Sequence, residues 1–100
     1  MIVYEVNIDV DADIAPAYRD WLQAHVADML SLPGFTGAEV FEVVVSPPDP
    51  ARQSLCVHYR LRDQAALDDY LRDHAARMRA DGVSRFGTRF RASRRVLRAG

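Results

Sequence analysis

The stretch WLQAHVADM at residues 21–29 decides the fold, because a related stretch, YLRDHAARM, occurs again at residues 70–78. In both copies an aromatic residue, a leucine, a histidine and a methionine keep the same spacing. In a helix with about 3.6 residues per turn, that spacing places the four side chains on one face. The repeat therefore predicts two amphipathic helices in two related halves of the chain.

The segments around these helices alternate between apolar and polar residues, as half-buried strands do. Helices are predicted over residues 14–31 and 64–80, and strands over residues 2–10, 38–46, 54–61 and 88–97. Gly82 is expected to end the second helix. The order β-α-β-β-α-β predicts an α+β ferredoxin-like fold, with a four-stranded antiparallel sheet in the order 4-1-3-2 and both helices on one face.

Chain length and the second strand bear on domains and partners. The chain has 100 residues and an ordinary share of apolar and charged residues, which predicts one ferredoxin-like domain over residues 1–100. Residues 43–45 are all valine, so the predicted second strand becomes apolar on both sides. Such a strand needs cover on its outer face, from a partner subunit or a terminal segment. We expect a symmetric homodimer that pairs through the sheet face.

Acidic and basic residues are unevenly distributed. Residues 1–50 contain nine Asp or Glu against one Arg, whereas residues 51–100 contain twelve Arg against five Asp. In the order 4-1-3-2, strand one lies between strands four and three, so Glu5 and Asp9 are predicted to pair with cations of both neighbours. The candidate cations are Arg89, Arg91, Arg95, His58 and Arg60. Whether the Arg-rich last strand binds an anion or only pairs with these acids stays open.

Composition argues against several functions. A net charge of -1 lacks the basic excess of a nucleic-acid-binding protein. Tyr4 and Tyr59 fall on the helix-facing side of the sheet, away from the open face that RNA-binding ferredoxin-like domains use. The three histidines lack the spacing of a metal-binding pair, so neither a metal nor another cofactor is expected. With no leader, no membrane span and one cysteine, Cys56, the chain is expected to be cytoplasmic.

A candidate site lies where the first repeated helix meets the sheet. His25 is near the middle of the apolar arc, with Trp21 one turn away, and is the predicted catalytic residue because an imidazole titrates near neutral pH and serves as a general base. The residues expected to line a ligand pocket beside it are Tyr4, Tyr18, Trp21, Tyr59 and His74. The alternative is that His25 is a packed core residue, since its counterpart His74 repeats the position. Arg94 interrupts the apolar face of the last strand, which predicts a bulge or a rim position there.

Five short strings resemble a bacterial family of about this length that is catalogued as a domain of unknown function. They are MIVYEV at residues 1–6, WLQAH at 21–25, PGFT at 33–36, YLRDHA at 70–75 and RFGTRF at 85–90. The whole layout is similar to the dimeric α+β barrel superfamily, in which ferredoxin-like subunits pair sheet against sheet. That superfamily includes cofactor-free monooxygenases of antibiotic biosynthesis, muconolactone isomerases, ethyl tert-butyl ether degradation-type proteins and haem-binding chlorite dismutases. The resemblance implies a fold and a homodimer, and it carries no assigned activity.

Two functional hypotheses follow from these patterns. In the first, the protein binds a small molecule in a helix-sheet pocket, as a cofactor-independent monooxygenase-like or isomerase-like enzyme that uses His25. In the second, it is a non-catalytic homodimeric interaction or regulatory module whose histidines are structural. A roomy pocket with converging polar groups would favour the first hypothesis, and a tightly packed interior around His25 would favour the second.

Overall fold

Four antiparallel strands form one sheet, and three helical segments cover one of its faces. In the computed structural model, which describes residues 1–100, the strands are β1 (Ile2–Asp11), β2 (Phe35–Glu42), β3 (Arg52–Leu61) and β4 (Phe90–Arg98). The helices are α1 (Ala15–Leu30), α2 (Gln64–Asp73) and α3 (Ala75–Phe86). The sheet order β2-β3-β1-β4 is the predicted order 4-1-3-2 seen from the opposite edge. The predicted ferredoxin-like fold is therefore confirmed.

Helix α1 agrees with the predicted helix to within one residue at each end. Pro16 lies in its first turn, where the missing N–H costs no helical hydrogen bond. Tyr18, Leu22 and Met29 are buried against the sheet, as the apolar arc of the repeated stretch requires. No helix in the structure is long and apolar enough to cross a membrane.

The second repeated helix differs from the prediction, because it is broken at His74 and continues to Phe86. His74 has φ -130 and ψ -27, outside helical geometry, and separates α2 from α3. The prediction that Gly82 ends this helix is wrong, since Gly82 is buried inside α3. A Cβ at Gly82 would lie 3.1 Å from Cη2 of Trp21, so the glycine permits close packing instead. The helix ends before Gly87, which has a positive φ of 57.

Strand β2 begins and ends earlier than predicted. It starts at Phe35, has a register irregularity before Gly37, and stops at Glu42. Residues 43–45 therefore lie outside the strand, and Val44 is 91% exposed. The prediction of a second strand that is apolar on both faces is wrong, because β2 ends before the three valines.

Strand β4 runs beside β1 without a bulge. Its pairing with β1 is unbroken from Ile2 opposite Arg98 to Val10 opposite Phe90. Arg94 is the cross-strand partner of Val6 and shares the helix-facing side of the sheet. The predicted bulge is therefore absent, and the regular register turns the Arg94 side chain toward the helices.

The open face of the sheet carries a compact charge cluster centred on Glu5, which is only 4% exposed. Glu5 accepts hydrogen bonds from Asn7 Nδ2 at 2.9 Å and from Arg95 Nε, and it contacts His58 Nε2 at 2.7 Å. The predicted pairing of this carboxylate with both neighbouring strands is confirmed. These hydrogen bonds, with that from Arg95 the strongest, lower the pKa of Glu5 from 4.5 to about 2.

The other predicted pairs are rearranged by geometry. Asp9 pairs with Arg52 Nε of β3 at 2.9 Å, whereas Arg91 makes no ion pair. Arg89 pairs with Asp11, the last residue of β1, and with Asp13 just beyond the strand. Arg60 pairs with Glu39 of β2 at 2.8 Å. The acidic and basic halves of the chain thus meet mainly along the open face of the sheet and at the end of the sheet that contains Asp11.

We expect the Glu5→Gln variant to be less stable at neutral pH by about 1.5–3 kcal/mol, the range for hydrogen bonds to a charged group. Because folding lowers the pKa of Glu5, its stabilising contribution is present above pH 4.5 and is lost as the pH falls toward 2. Thermal unfolding between pH 2 and 7 should therefore show a steeper acid decline in the wild type than in the variant.

The matched control is Glu39→Gln, which removes an ion pair on the same face whose carboxylate side chain is 59% exposed. This control should cost less than about 1 kcal/mol, as exposed ion pairs generally do. Equal losses in the two variants, or parallel pH profiles for Glu5→Gln and the wild type, would contradict the structural role assigned to Glu5.

Candidate functional site

A cavity of about 340 Å³ lies between the sheet and the helices. Its lining is mostly apolar and comes from β1, β3, β4, α1, α2 and α3. This volume lies in the range of small-molecule pockets, which are typically apolar with a few placed polar groups. Ring side chains of the repeated stretch, such as Tyr70 and Trp21, line it together with small residues such as Gly82 and Ala92.

Five of the six residues singled out from the sequence line this cavity: His25, Tyr4, Tyr18, Trp21 and Tyr59. The helical residues arrive together because they lie on one face of α1. Tyr4 and Tyr59 are direct cross-strand partners, with ring centroids 6.3 Å apart. Their meeting follows from the alternation of β1 and β3.

The structure places His74 outside the cavity lining. It lies at the break between α2 and α3, where its Nδ1 is 3.0 Å from Nη2 of Arg77. Although His25 and His74 hold the same place in the repeated stretch, one lies within a continuous helix and the other at a helix break. Sequence spacing alone could not separate these two environments.

Three cavity residues with hydrogen-bonding side chains were not identified from the sequence: Tyr70, Arg79 and Arg94. Tyr70 is the counterpart of Trp21 in the repeat, so the repeat itself carried that signal. Arg79 donates a hydrogen bond from Nη2 to Tyr4 Oη at 2.8 Å. The signal for Arg94 was its position on the apolar face of the last strand, where a charged residue is unusual.

His25 is suited to accept a proton. Its ring stacks on Trp21 with centroids 4.6 Å apart and an interplanar angle of 23°. Burial lowers the pKa of His25 below 6.5, and the nearby Arg94 acts in the same direction, while Asp81 and Asp28 oppose them. The imidazole is therefore neutral at pH 7, and neither of its nitrogens is hydrogen-bonded to another protein group.

The buried phenols offer hydrogen bonds to a ligand. Burial raises the pKa of Tyr18 and of Tyr70 to about 12, and it raises the pKa of Tyr59 further. All three are therefore neutral donors at physiological pH. None of their hydroxyls has a protein partner, and none is fully enclosed. These hydroxyls are available to a molecule in the cavity.

One group on the opposite face of the sheet resembles a metal site in composition. Ligand atoms of Glu5, Cys56 and His58 lie within 4.8 Å of one another. However, both carboxylate oxygens of Glu5 already bind neighbouring groups, and the Arg95 guanidinium lies beside them. Burial, aided by the charge of Glu5, raises the pKa of the Cys56 thiol and disfavours the thiolate that a metal needs. The cluster is better described as an ion-pair network.

The fold is the α+β ferredoxin-like fold. The chain belongs to the family described as Domain of unknown function (DUF4286), whose model matches residues 1–99. This confirms the resemblance seen in the short sequence strings. No curated protein has a significantly similar sequence.

Solved structures with the same fold come from several bacteria. One is a candidate antibiotic biosynthesis monooxygenase from Deinococcus radiodurans, 15% identical with a TM-score of 0.74, in an alignment that covers 100% of this chain and 93% of that one. An ethyl tert-butyl ether degradation family protein from Bacillus halodurans is 16% identical with a TM-score of 0.69, and the alignment covers 100% of both chains. SnoaB, a cofactor-independent oxygenase from Streptomyces nogalater, is 11% identical with a TM-score of 0.65, covering 98% and 92%. At these identities the likeness establishes the fold.

Trp21 is the one tryptophan of the chain, so its fluorescence reports the charge of the imidazole stacked on it. A protonated imidazole in contact with indole quenches its emission by accepting an electron from the excited ring. We expect the fluorescence to fall as the pH decreases, with a midpoint below 6.5 because burial lowers the pKa of His25. The His25→Gln variant should lack this transition. A midpoint at or above 6.5, or the same curve in the variant, would contradict the environment described for His25.

Proposed function

We propose that residues 1–100 act as one domain that binds a small molecule in the helix-sheet cavity and uses His25 as a general base. The observation that carries this proposal is the convergence of His25, the buried phenols and Arg94 on a mostly apolar cavity of about 340 Å³. A cavity of this kind is the usual form of a small-molecule site. The chemistry belongs to the class of cofactor-independent monooxygenases and isomerases.

A single proton transfer would begin either reaction. The neutral imidazole of His25 takes a proton from an acidic O–H or C–H of the bound substrate, which leaves a substrate anion beside Arg94 and the phenol hydroxyls. A positioned base of this kind contributes about 10²–10⁴-fold to a rate. Fixed donors around the developing negative charge contribute more, since they need no rearrangement during the reaction. The fold shared with the cofactor-independent oxygenase SnoaB supports the same class of chemistry.

We also propose that two copies pair through their open sheet faces. Phe41 on this face is 43% exposed and packs edge-on against His58, with ring centroids 5.3 Å apart. The central carboxylate of the face, Glu5, is already neutralised within one subunit, which lowers the cost of covering it. The dimer is common to the enzyme hypothesis and to the alternative of a non-catalytic interaction or regulatory module. That alternative is supported by His58 and His74, which bind neighbouring side chains outside the cavity.

Native mass spectrometry of protein purified from its own host tests the cavity. We expect the wild type to retain a reproducible small molecule, and the Val83→Trp variant to lose it. Val83 lines the cavity and is itself 57% exposed, so a larger side chain there narrows the cavity without disturbing the core. Ala76→Trp, an exposed change on the same helix outside the lining, is the control and should retain the molecule.

Turnover then separates an enzyme from a binding protein. With the retained molecule as substrate, His25→Gln should bind it with similar affinity and convert it at least about 100-fold more slowly, as expected for loss of a general base. Unchanged conversion would show that His25 is not the base. If the wild type retains no molecule and no small molecule is found to bind, the cavity hypothesis fails and the non-catalytic module is favoured.

Light scattering tests the proposed dimer. The wild type should have twice the mass of one chain, and Phe41→Glu should be a monomer because it places an unpaired charge within the paired faces. Val44→Glu adds the same charge at a residue that is 91% exposed outside the strands, and this control should remain dimeric. A monomeric wild type would overturn the proposal.

A further inference from the structure

Arg94 occupies a position where an apolar residue would ordinarily stand. On β4 it lies between Ala92 and Val96 on the helix-facing side of the sheet, and it is paired with Val6 of β1. The residue is exposed as a whole and yet lines the cavity, so it stands at the cavity mouth. A cation at such a position loses part of its hydration and gains from a negatively charged partner.

The protein supplies no such partner. Four other arginines of the sheet and its ends, Arg52, Arg60, Arg89 and Arg95, each contact an acidic side chain. Arg94 takes part in no ion pair and no side-chain hydrogen bond, and the cavity lining contains no Asp or Glu. Arg79, the second cation of the lining, binds only the neutral hydroxyl of Tyr4.

The electrostatic surroundings give the cavity a positive character. His25, Tyr18, Tyr59 and Tyr70 are uncharged at neutral pH. No negative charge within the lining therefore offsets the positive charges of the two guanidinium groups. The charge of Arg94 acts on all sides of the cavity, since it lowers the pKa of Tyr18, Tyr59, Tyr70 and His25. An anion in the cavity is therefore attracted toward Arg94, whereas Asp81 and Asp28 act in the opposite direction at His25.

Building on the proposed function, we infer that the ligand of this cavity is an aromatic carboxylate whose anionic group is bound by Arg94. The planar guanidinium fork of arginine matches a carboxylate with two parallel hydrogen bonds. Tyr18, Tyr59 and Tyr70 can add hydrogen bonds to the same group or to a ring substituent. The apolar lining, with Ile8, Met29 and Phe90 among its side chains, fits the aromatic body.

Matched pairs of aromatic acids and their carboxamides test this inference, because each pair differs mainly in charge. Benzoate, 2-naphthoate and anthracene-2-carboxylate span one to three fused rings, and each is compared with its amide by titration calorimetry at fixed ionic strength. For the best-fitting ring system, the wild type should bind the acid about tenfold or more tightly than the amide, as expected for hydrogen bonds to a charged group.

Two variants assign the preference to Arg94. Arg94→Gln should bind acid and amide alike, and Arg94→Lys, which keeps the charge and loses the fork, should retain only part of the preference. Arg91→Gln is the matched control: it lies on the same strand, faces the opposite side of the sheet, has no ion-pair partner, and removes the same charge. It should keep the full preference. Because Arg94 is exposed, its removal should leave the thermal unfolding midpoint nearly unchanged.

The outcomes separate the inference from the function on which it rests. If the acid and the amide bind equally to the wild type, or if Arg94→Gln keeps the preference for the acid, Arg94 is a solvated rim residue and the inference is overturned while the cavity function stands. If no member of any pair binds, the inference is overturned, and the small-molecule function is then decided by whether native mass spectrometry finds a retained molecule.

Discussion

The pairing of β1 with β3 on one edge and β4 on the other is the constraint on which this structure depends. Because side chains alternate along a strand, a shift of one residue would exchange the two faces of the sheet. The observed register sends Tyr4 toward the helices and Glu5 toward the open face. A slipped β1 would place a carboxylate in the cavity and a phenol on the open face. The cross-strand contacts of Glu5 with His58 and Arg95 therefore hold the register that also builds the cavity.

The same register sorts the arginines into two groups. On the open face and at the end of the sheet, arginines meet the carboxylates of β1 and β2 and their charges are offset. On the helix-facing side, Arg94 and Arg79 meet phenols, an imidazole and apolar carbon. The overall charge of -1 thus conceals a local positive potential in the cavity. This separation follows from the position of Arg94 along β4 and of Arg79 on α3, and not from the composition of the chain.

The strand order, the two faces of the sheet and five residues of the cavity lining could be predicted from the sequence, because alternation and helical spacing act locally. Three features could not, because they depend on contacts between distant segments. Gly82 reads as a helix terminator, but its role is the close approach of α3 to Trp21. The break at His74 interrupts a stretch whose spacing matches that of the unbroken helix α1. A charged residue at position 94 of an apolar strand face suggests a bulge, but the pairing of Arg94 with Val6 shows that the register of β4 is regular.

Cavity volume is the property that separates the two functional hypotheses. An open cavity does not increase the stability of the fold. A larger apolar side chain at Ala92 would fill part of the space and bury more surface, at about 25 cal/mol per Å² of apolar area. The hydroxyls of Tyr18, Tyr59 and Tyr70 make no hydrogen bond to the protein, so only water or a ligand can satisfy them. A purely structural module would gain by closing this space. Small residues around partnerless phenols and an unpaired guanidinium at the mouth are instead the arrangement that a ligand would complete.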